Sequence, residues 1–171
     1  MDQLVYITDY TYDRNQVIAF ESELLEVLGF DCSHVTERNF LRRYLMAAAA
    51  DVPCEVSLHK AVQLSHYLTE RTMQDYQFLK YKPSILACAA ICVALHTLGL
   101  NAWTTTLEHY TCVNVNNAAF RSCTKDLLTL FRYSRSPAGL SQLQAVNDKY
   151  HVFFAQTGIV TPTTPIPFPP L

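Results

Sequence analysis

Apolar residues recur along most of this chain at spacings of three and four rather than two, which is the pattern of one buried helix face. Only four glycines interrupt it. The pattern therefore predicts helices almost throughout. The predicted elements are Tyr12–Leu28 after a cap at Thr11, a second helix from Thr36 to Asp51, a third from a cap at Ser57 to about Leu79, then Pro83–Gly99, Thr105–Tyr110, Asn116–Tyr133 and Gln142–Tyr150.

The most apolar stretch is YKPSILACAAICVALHTLG, in which every residue from Ile85 to Leu95 is apolar. This run is too short for a membrane span, which needs about 20 apolar residues. Pro83 suits a first helical turn because its missing N–H would have no partner there, and Gly99 can end the helix. The alanines in the run let neighbouring helices approach closely. We therefore predict an all-α domain of five or six helices around one central, buried helix.

The last segment of the chain, TPTTPIPFPPL, is rich in proline. Proline lacks the backbone N–H that helices and sheets require, and proline-rich segments favour an extended backbone. We expect an extended or disordered tail here.

Charge and composition argue against several classes of partner. The net charge is -2 and the pI is about 6.3, so the chain lacks the clustered positive charge that nucleic-acid binding requires. The N-terminal residues MDQLVYITDY contain no apolar core of a secretory signal,. We expect an intracellular, soluble protein that binds neither nucleic acid nor membrane.

Six cysteines are present, and three of them fall inside apolar helical patterns. Disulfide frameworks are typical of short secreted chains that lack a core, whereas a free cysteine behaves as a small apolar residue. We therefore interpret the cysteines as reduced and largely buried.

Three combinations of residues could carry chemistry. Cys88, Cys92 and His96 lie four residues apart on one helix face, but the sequence suggests no fourth metal ligand nearby,. A nucleophilic Cys–His pair is possible with six histidines available, although nothing orients one. Glu70 and Asp75 are five residues apart and project from different helix faces, so a solvated helix edge is the better interpretation. We assign no catalytic, cofactor-binding or metal-binding residue, and we expect no cofactor and no enzymatic activity.

Several segments occur in the order found in A- and B-type cyclins. VYITDYTYDRNQVIAFESELLEVLGFD resembles the end of the first cyclin box, where a turn leads into the last helix of that box. FLRRYL, HYLTERTMQDYQFLKYKPSILACAA and WTTTLEHYT resemble consecutive pieces of the second, C-terminal box. NDKYH resembles a Lys–Tyr pair near the end of these proteins. The resemblance covers about Leu4 to Tyr150 and identifies the chain as a member of the mitotic cyclin family.

The resemblance implies a fold and a domain organisation. Residues 1–32 would be the end of a truncated N-terminal box, 33–152 the C-terminal box and 153–171 the proline-rich tail. The fold would be a cyclin box of five main helices around a central buried helix, preceded by one helix of the first box.

The resemblance also implies a partner. Cyclins bind a cyclin-dependent protein kinase and press on its regulatory helix, which favours the ion pair needed for phosphoryl transfer. Most kinase contacts of the family come from the first box, upstream of the segment matched here. The kinase-contact candidates are therefore Leu4, Val5 and Tyr6, although Val5 and Tyr6 could equally pack against the following helix.

The expected function is that of a cyclin-like regulator of the cell cycle, located in the nucleus and cytoplasm. Since most of the first box is missing from the match, we expect weak kinase binding and no activation by this chain. The alternative is a cyclin-fold interaction module of the transcription-factor or pocket-protein type. An enzyme using the unoriented cysteines and histidines is the third possibility.

Overall fold

The computed structural model describes residues 2–140 and 144–168, and in these ranges the chain is helical with no β-strand. The helices are α1 (Asp2–Ile7), α2 (Arg14–Val27), α3 (Glu37–Ala48), α4 (Glu55–Thr72), α5 (Pro83–Thr97), α6 (Thr105–Thr111), α7 (Ala118–Ser134), α8 (Pro137–Leu140), α9 (Gln144–Lys149) and α10 (His151–Thr157), with a short 3-10 helix at Tyr76–Lys80. The predicted all-α fold is confirmed. None of the described helices combines the length and apolar character needed to cross a bilayer.

The chain divides into two compact units, one ending at His34 and the other beginning at Val35. The first unit contains α1 and α2, and the described residues of both helices include no buried side chain. The sequence predicted one helix in this part, preceded by a turn. The difference is α1, which forms one and a half turns before the chain reverses through Asp9 and Tyr10, both at positive φ.

Helix α2 begins and ends close to the predicted positions. The carboxylate of Asp13 accepts hydrogen bonds from the N–H groups of Asn15 and Gln16, at 2.7 and 3.0 Å. Asp13, and not the predicted Thr11, is therefore the cap. Gly29 follows the helix at φ +57°, the left-handed conformation that glycine adopts without strain,.

The second unit is built around α5. Every residue from Ile85 to Leu95 in this helix is buried, so α5 has no solvent-facing side over three turns. Helices α3, α4 and α7 pack directly against it. The predicted central helix is therefore confirmed, with Pro83 in its first turn.

The helices around α5 bury one face each. Helix α3 contributes Leu41, Tyr44, Leu45 and Ala48, at the spacing of one helix face. Helix α7 contributes Phe120, Cys123, Leu127 and Phe131 in the same way. This is the amphipathic pattern that the sequence predicted for these two segments.

Helix α4 differs from its prediction at both ends. It begins at Glu55, because the Cys54 sulfur accepts the N–H of Ser57 and takes the cap position predicted for Ser57. It ends at Thr72, and the 3-10 helix after it starts where Asp75 accepts the N–H of Gln77 at 3.0 Å. Tyr76 and Leu79, which fall in the last part of the helix predicted from Ser57 to about Leu79, are exposed by 87% and 71%.

The tail also differs from its predicted start at residue 153. Helix α10 continues to Thr157, because Phe154 is buried against the rings of Tyr67 and Phe131. Gly158 ends the helix at φ +62°. The backbone from residue 159 to 168 contains no helix. The start of the last predicted helix, at Gln142, lies outside the described residues.

The close packing on all sides of α5 predicts that a larger side chain at a buried alanine of this helix lowers the stability of the protein. Ala90 is fully buried in α5, whereas Ala119 is exposed in the first turn of α7. Overpacking a filled core costs about 1–3 kcal/mol, and an exposed substitution changes stability by about 0.5 kcal/mol or less. We therefore expect Ala90→Leu, but not Ala119→Leu, to lower the free energy of unfolding in urea by that larger amount. Equal effects of the two substitutions would contradict close packing around α5.

Candidate functional site

The kinase-contact candidates all lie in α1. The side chains of Leu4 and Tyr6 are exposed by 48% and 67%, and Val5 is partly buried. The backbone carbonyl of Val5 accepts the Thr8 hydroxyl at 2.8 Å and the Tyr10 N–H at 3.2 Å. This pair of hydrogen bonds fixes the end of α1, while Leu4 and Tyr6 remain available to a partner.

Further apolar side chains of the first unit are exposed beside these candidates. Ile7 and Tyr10 are both exposed, and the rings of Tyr6 and Tyr10 meet edge to face with centroids 6.2 Å apart. The sequence did not single out Ile7 or Tyr10, because their exposure depends on the short helix α1 and the reversal after it. The exposed apolar group at α1 thus consists of Leu4, Tyr6 and Ile7 in the helix and Tyr10 in the reversal after it.

Two residues of the Cys88, Cys92 and His96 stripe lie in the core. Cys88 and Cys92 are fully buried in α5. Burial raises the pKa of the Cys88 thiol to about 12 and also raises the pKa of Cys92, so both thiols keep their protons at neutral pH and neither is an activated nucleophile. Among residues 2–140 and 144–168, no three His, Cys, Asp or Glu side chains are placed to share a metal ion.

The remaining cysteines give no nucleophile with a base. Burial likewise raises the pKa of Cys123 to about 12. Cys54 is exposed, and its pKa is lowered by its hydrogen bonds with Ser57. The side chain next to the Cys54 sulfur is the Ser57 hydroxyl, which is not a base. In the described part of the chain, no cysteine sulfur forms a hydrogen bond to a histidine ring.

Glu70 and Asp75 have separate structural roles and do not form a pair of catalytic carboxylates. Glu70 accepts the Lys149 ammonium at 2.7 Å and the Tyr150 hydroxyl at 2.9 Å. Asp75 instead caps the 3-10 helix. Burial, followed by the Glu70 contact, raises the pKa of Tyr150, so this hydroxyl keeps its proton and donates a hydrogen bond to Glu70. The segments HYLTERTMQDYQ and NDKYH, which resemble cyclins, therefore meet in space.

Two further polar contacts lie next to this cluster, in the interior. Tyr67 donates to the Asn147 side chain at 3.0 Å, and the Arg71 Nε donates to the Ser134 hydroxyl, also at 3.0 Å. Burial raises the pKa of Tyr67. These buried groups join α4 to α7 and α9.

An open groove of about 320 Å³ lies between α3 and α4. Its floor is apolar and includes Leu45 and Val62, and Arg38 and Arg42 lie at its rim. His66 also lines it, with a pKa lowered by burial and by the neighbouring Arg38. The groove offers apolar contact and positive charge, which suits binding, but it contains no nucleophile.

Comparisons with known proteins agree with this geometry. Residues 35–156 match the family model described as cyclin, C-terminal domain, and the start of the match coincides with the start of the second unit. The G2/mitotic-specific cyclin-A of Hydra viridissima is 36% identical over 168 residues, which cover 98% of this chain and 37% of that protein. Cyclin-A2-4 of Arabidopsis thaliana is 43% identical over 113 residues, which are 65% of this chain and 24% of that protein.

A third relative, Cyclin-A1 of Xenopus laevis, is 38% identical over 128 residues, or 74% of this chain and 28% of that protein. The chain thus spans between 24% and 37% of the length of these three relatives.

The burial of the thiols predicts their reactivity. Cys32, Cys54 and Cys112 are exposed, whereas Cys88, Cys92 and Cys123 are buried. A disulfide reagent such as DTNB should therefore modify three thiols of the native chain quickly and the other three only after unfolding in denaturant. The single substitutions Cys54→Ser and Cys92→Ala should each remove one thiol, from the fast and the slow group respectively. Fast modification of all six in the native chain would contradict this core.

The raised pKa of the Cys123 thiol also predicts that the stability of the protein depends on pH. Its pKa is about 12 in the folded chain against an ordinary value of 9.0. Its contribution to stability is therefore complete below pH 9 and is lost as the pH rises toward 12, because only the unfolded chain releases the proton in that range. Each such proton lowers the free energy of unfolding by about 1.4 kcal/mol per pH unit.

Urea unfolding under reducing conditions, between about pH 8 and pH 10.5, measures this dependence. Cys123→Ala should show a shallower alkaline loss of stability than the unsubstituted chain, by about one proton. Parallel curves for the two proteins would show that this thiol ionises without cost in the fold.

Proposed function

The chain belongs to the cyclin family, and from that membership we propose that it is a regulatory subunit that binds a cyclin-dependent protein kinase in the control of the cell cycle. The observation that carries the proposal is the match of residues 35–156 to the cyclin C-terminal domain. The A-type relatives add to it, since one of them is named a G2/mitotic-specific cyclin. These matches favour a cyclin over the transcription-factor or pocket-protein module.

A regulatory and not an enzymatic role is part of the proposal. The buried cysteines have raised pKa values, and the buried polar side chains join helices to one another. What the described surface offers is apolar contact area on α1 and a groove with a basic rim. Such surfaces suit the binding of a partner, and a protein that binds one of two arrangements of a kinase's regulatory helix more tightly shifts the kinase toward that arrangement without any chemical step of its own.

Within this proposal, the kinase contacts are made by Leu4, Val5 and Tyr6. Leu4 and Tyr6 support it by their exposure, because an exposed large apolar side chain gains the most from burial against a partner. Val5 is partly buried, so it would contribute chiefly by fixing the end of α1 through its carbonyl. The nuclear and cytoplasmic location also belongs to the proposal, and imaging of a tagged chain through the cell cycle tests it.

The test is a binding measurement with matched variants. The unsubstituted chain should bind a purified cyclin-dependent kinase with a Kd of about 1 μM or weaker, as small interfaces do. The double variant Leu4→Ala/Tyr6→Ala should weaken binding by at least about tenfold, which is typical of central interface side chains. Leu79→Ala/Tyr76→Ala removes the same two residue types at exposed positions of the second unit and should leave the affinity unchanged.

If the two double variants lose affinity equally, the contacts are not on α1. If the unsubstituted chain shows no binding at a concentration of about 100 μM, the kinase partner itself is wrong.

A second experiment measures kinase activity. Because the chain spans only 24% to 37% of its relatives' length, we expect it to occupy the kinase without activating it. Phosphorylation of a histone substrate should stay at the level of the kinase alone when this chain is added in excess, and a full-length A-type cyclin serves as the positive control. Robust activation by this chain would overturn the expectation.

A further inference from the structure

The tail, residues 159–168, lies against α7 and is held there by an arginine. The Arg132 Nε donates to the carbonyl of Pro162 at 2.8 Å, and its second terminal nitrogen donates to the carbonyl of Thr164 at 3.1 Å. The His96 Nε2 lies 3.4 Å from the same Thr164 carbonyl. Two basic side chains therefore converge on the backbone of Thr164.

The end of the tail is anchored by apolar contacts. The Phe168 ring meets the Phe120 ring edge to face, with centroids 5.7 Å apart, and the Arg121 guanidinium lies 5.3 Å from the Phe168 centroid. Ile166 is partly buried against the core. Between the part of the tail that contacts Arg132 and this apolar anchor, residues 163–165 are exposed.

Three Ser or Thr residues in the sequence are followed directly by Pro: Ser136, Thr161 and Thr164. A Thr–Pro or Ser–Pro pair in extended backbone is the substrate form of proline-directed protein kinases, and a residue before Pro favours that backbone. The three positions differ in the structure, so they are not equivalent acceptors.

Ser136 is poorly suited to modification. Its hydroxyl donates to the Tyr133 carbonyl and accepts the Gly139 N–H, and its Pro137 begins helix α8. Thr161 is only partly exposed, and the carbonyl of its following proline is held by Arg132. Thr164 is exposed, lies in non-helical backbone, and its hydroxyl makes no hydrogen bond among the described residues.

Charge gives the second observation. Residues 158–171 contain no acidic or basic side chain. In the described part of the chain, Arg132 contacts two neutral carbonyls and has no carboxylate within 4.0 Å. A phosphate carries a charge of about -1.5 to -2 and three strong acceptor oxygens. A phosphate on Thr164 would therefore give the positively charged Arg132 a negatively charged partner.

We propose that Thr164 is a phosphorylation site for a proline-directed protein kinase, and that its phosphate pairs with Arg132 and tightens the tail on α7. In the reaction, the Thr164 Oγ1 attacks the γ-phosphorus of ATP and a new O–P bond forms. The bond from the γ-phosphorus to the bridging oxygen breaks and ADP leaves, while the hydroxyl proton passes to the base of the modifying kinase. The proposal is independent of the kinase that the α1 surface would bind.

The first experiment tests the site. The full 171-residue chain is incubated with Mg-ATP and a purified proline-directed kinase, and mass spectrometry counts and locates the phosphate. We expect phosphate at Thr164 in the unsubstituted chain and in Thr163→Ala, and its loss in Thr164→Ala. Thr163 is the matched control, because it is exposed in the same segment but is followed by Thr.

A synthetic peptide of residues 158–171 distinguishes the ways in which the site could be wrong. If the peptide is phosphorylated and the chain is not, the docked tail excludes the kinase and the proposal fails. If neither accepts phosphate at Thr164, the sequence is not a substrate and the proposal fails as well.

The second experiment tests the pairing with Arg132 by amide hydrogen exchange of residues 159–168. Phosphorylation should slow exchange there by about two- to fivefold, the range for a partly exposed ion pair. Arg132→Gln removes the charge, so it should still accept phosphate at Thr164 but show no slowing. Exchange that is unchanged or faster in the phosphorylated chain, or equal slowing in Arg132→Gln, would overturn the pairing.

Discussion

The burial of α5 on all sides is the constraint on which the rest of this structure depends. A helix with no polar face is stable in water only when other elements cover it completely. From Ile85 to Leu95, each residue that turns away from one neighbouring helix meets another, and the alanines let those helices approach closely. At about 25 cal/mol per Å² of apolar area removed from water, this covering dominates the stability of the second unit. The amphipathic helices α3, α4 and α7 are the consequence.

Apolar covering alone does not determine where the last helices lie, because apolar contact has little directionality. The polar contacts supply that direction. Tyr67 with Asn147 and Glu70 with Tyr150 each join residues 80 positions apart, and Arg71 with Ser134 joins residues 63 apart. Breaking the Tyr67–Asn147 or the Arg71–Ser134 contact would leave an unsatisfied polar group in the interior, which costs more than the bond itself contributes,. They therefore fix α4 against α7 and α9 in one arrangement.

The two units differ in how much of their apolar surface is exposed to solvent. The second unit has an apolar core, and burial in it raises the pKa of the Cys88 and Cys123 thiols. The first unit has no buried side chain among its described residues and exposes large apolar groups on α1 and α2. The tail adds a second surface, where Arg132 holds backbone carbonyls that carry no charge.

The sequence alone determined the fold class, the central helix and most helix positions, because these follow from local spacing of apolar residues. It also determined the family, since several segments in the right order are specific together. Predictions from the sequence were wrong where a helix boundary depends on residues that are distant in sequence but close in space. The helix at residues 153–157, for example, depends on Phe154 packing against Tyr67 and Phe131.

The candidate site divides in the same way. Leu4, Val5 and Tyr6 came from resemblance, but only the structure distinguished the exposed Leu4 and Tyr6 from the partly buried Val5. The spacing of Cys88 and Cys92 in the sequence is compatible with metal ligands. Their burial in the tertiary structure raises the pKa of both thiols, so they stay protonated. Spacing determines which side chains share a helix face. Solvent exposure, pKa and hydrogen-bond partners depend on what packs against that face, and only the tertiary structure decides them.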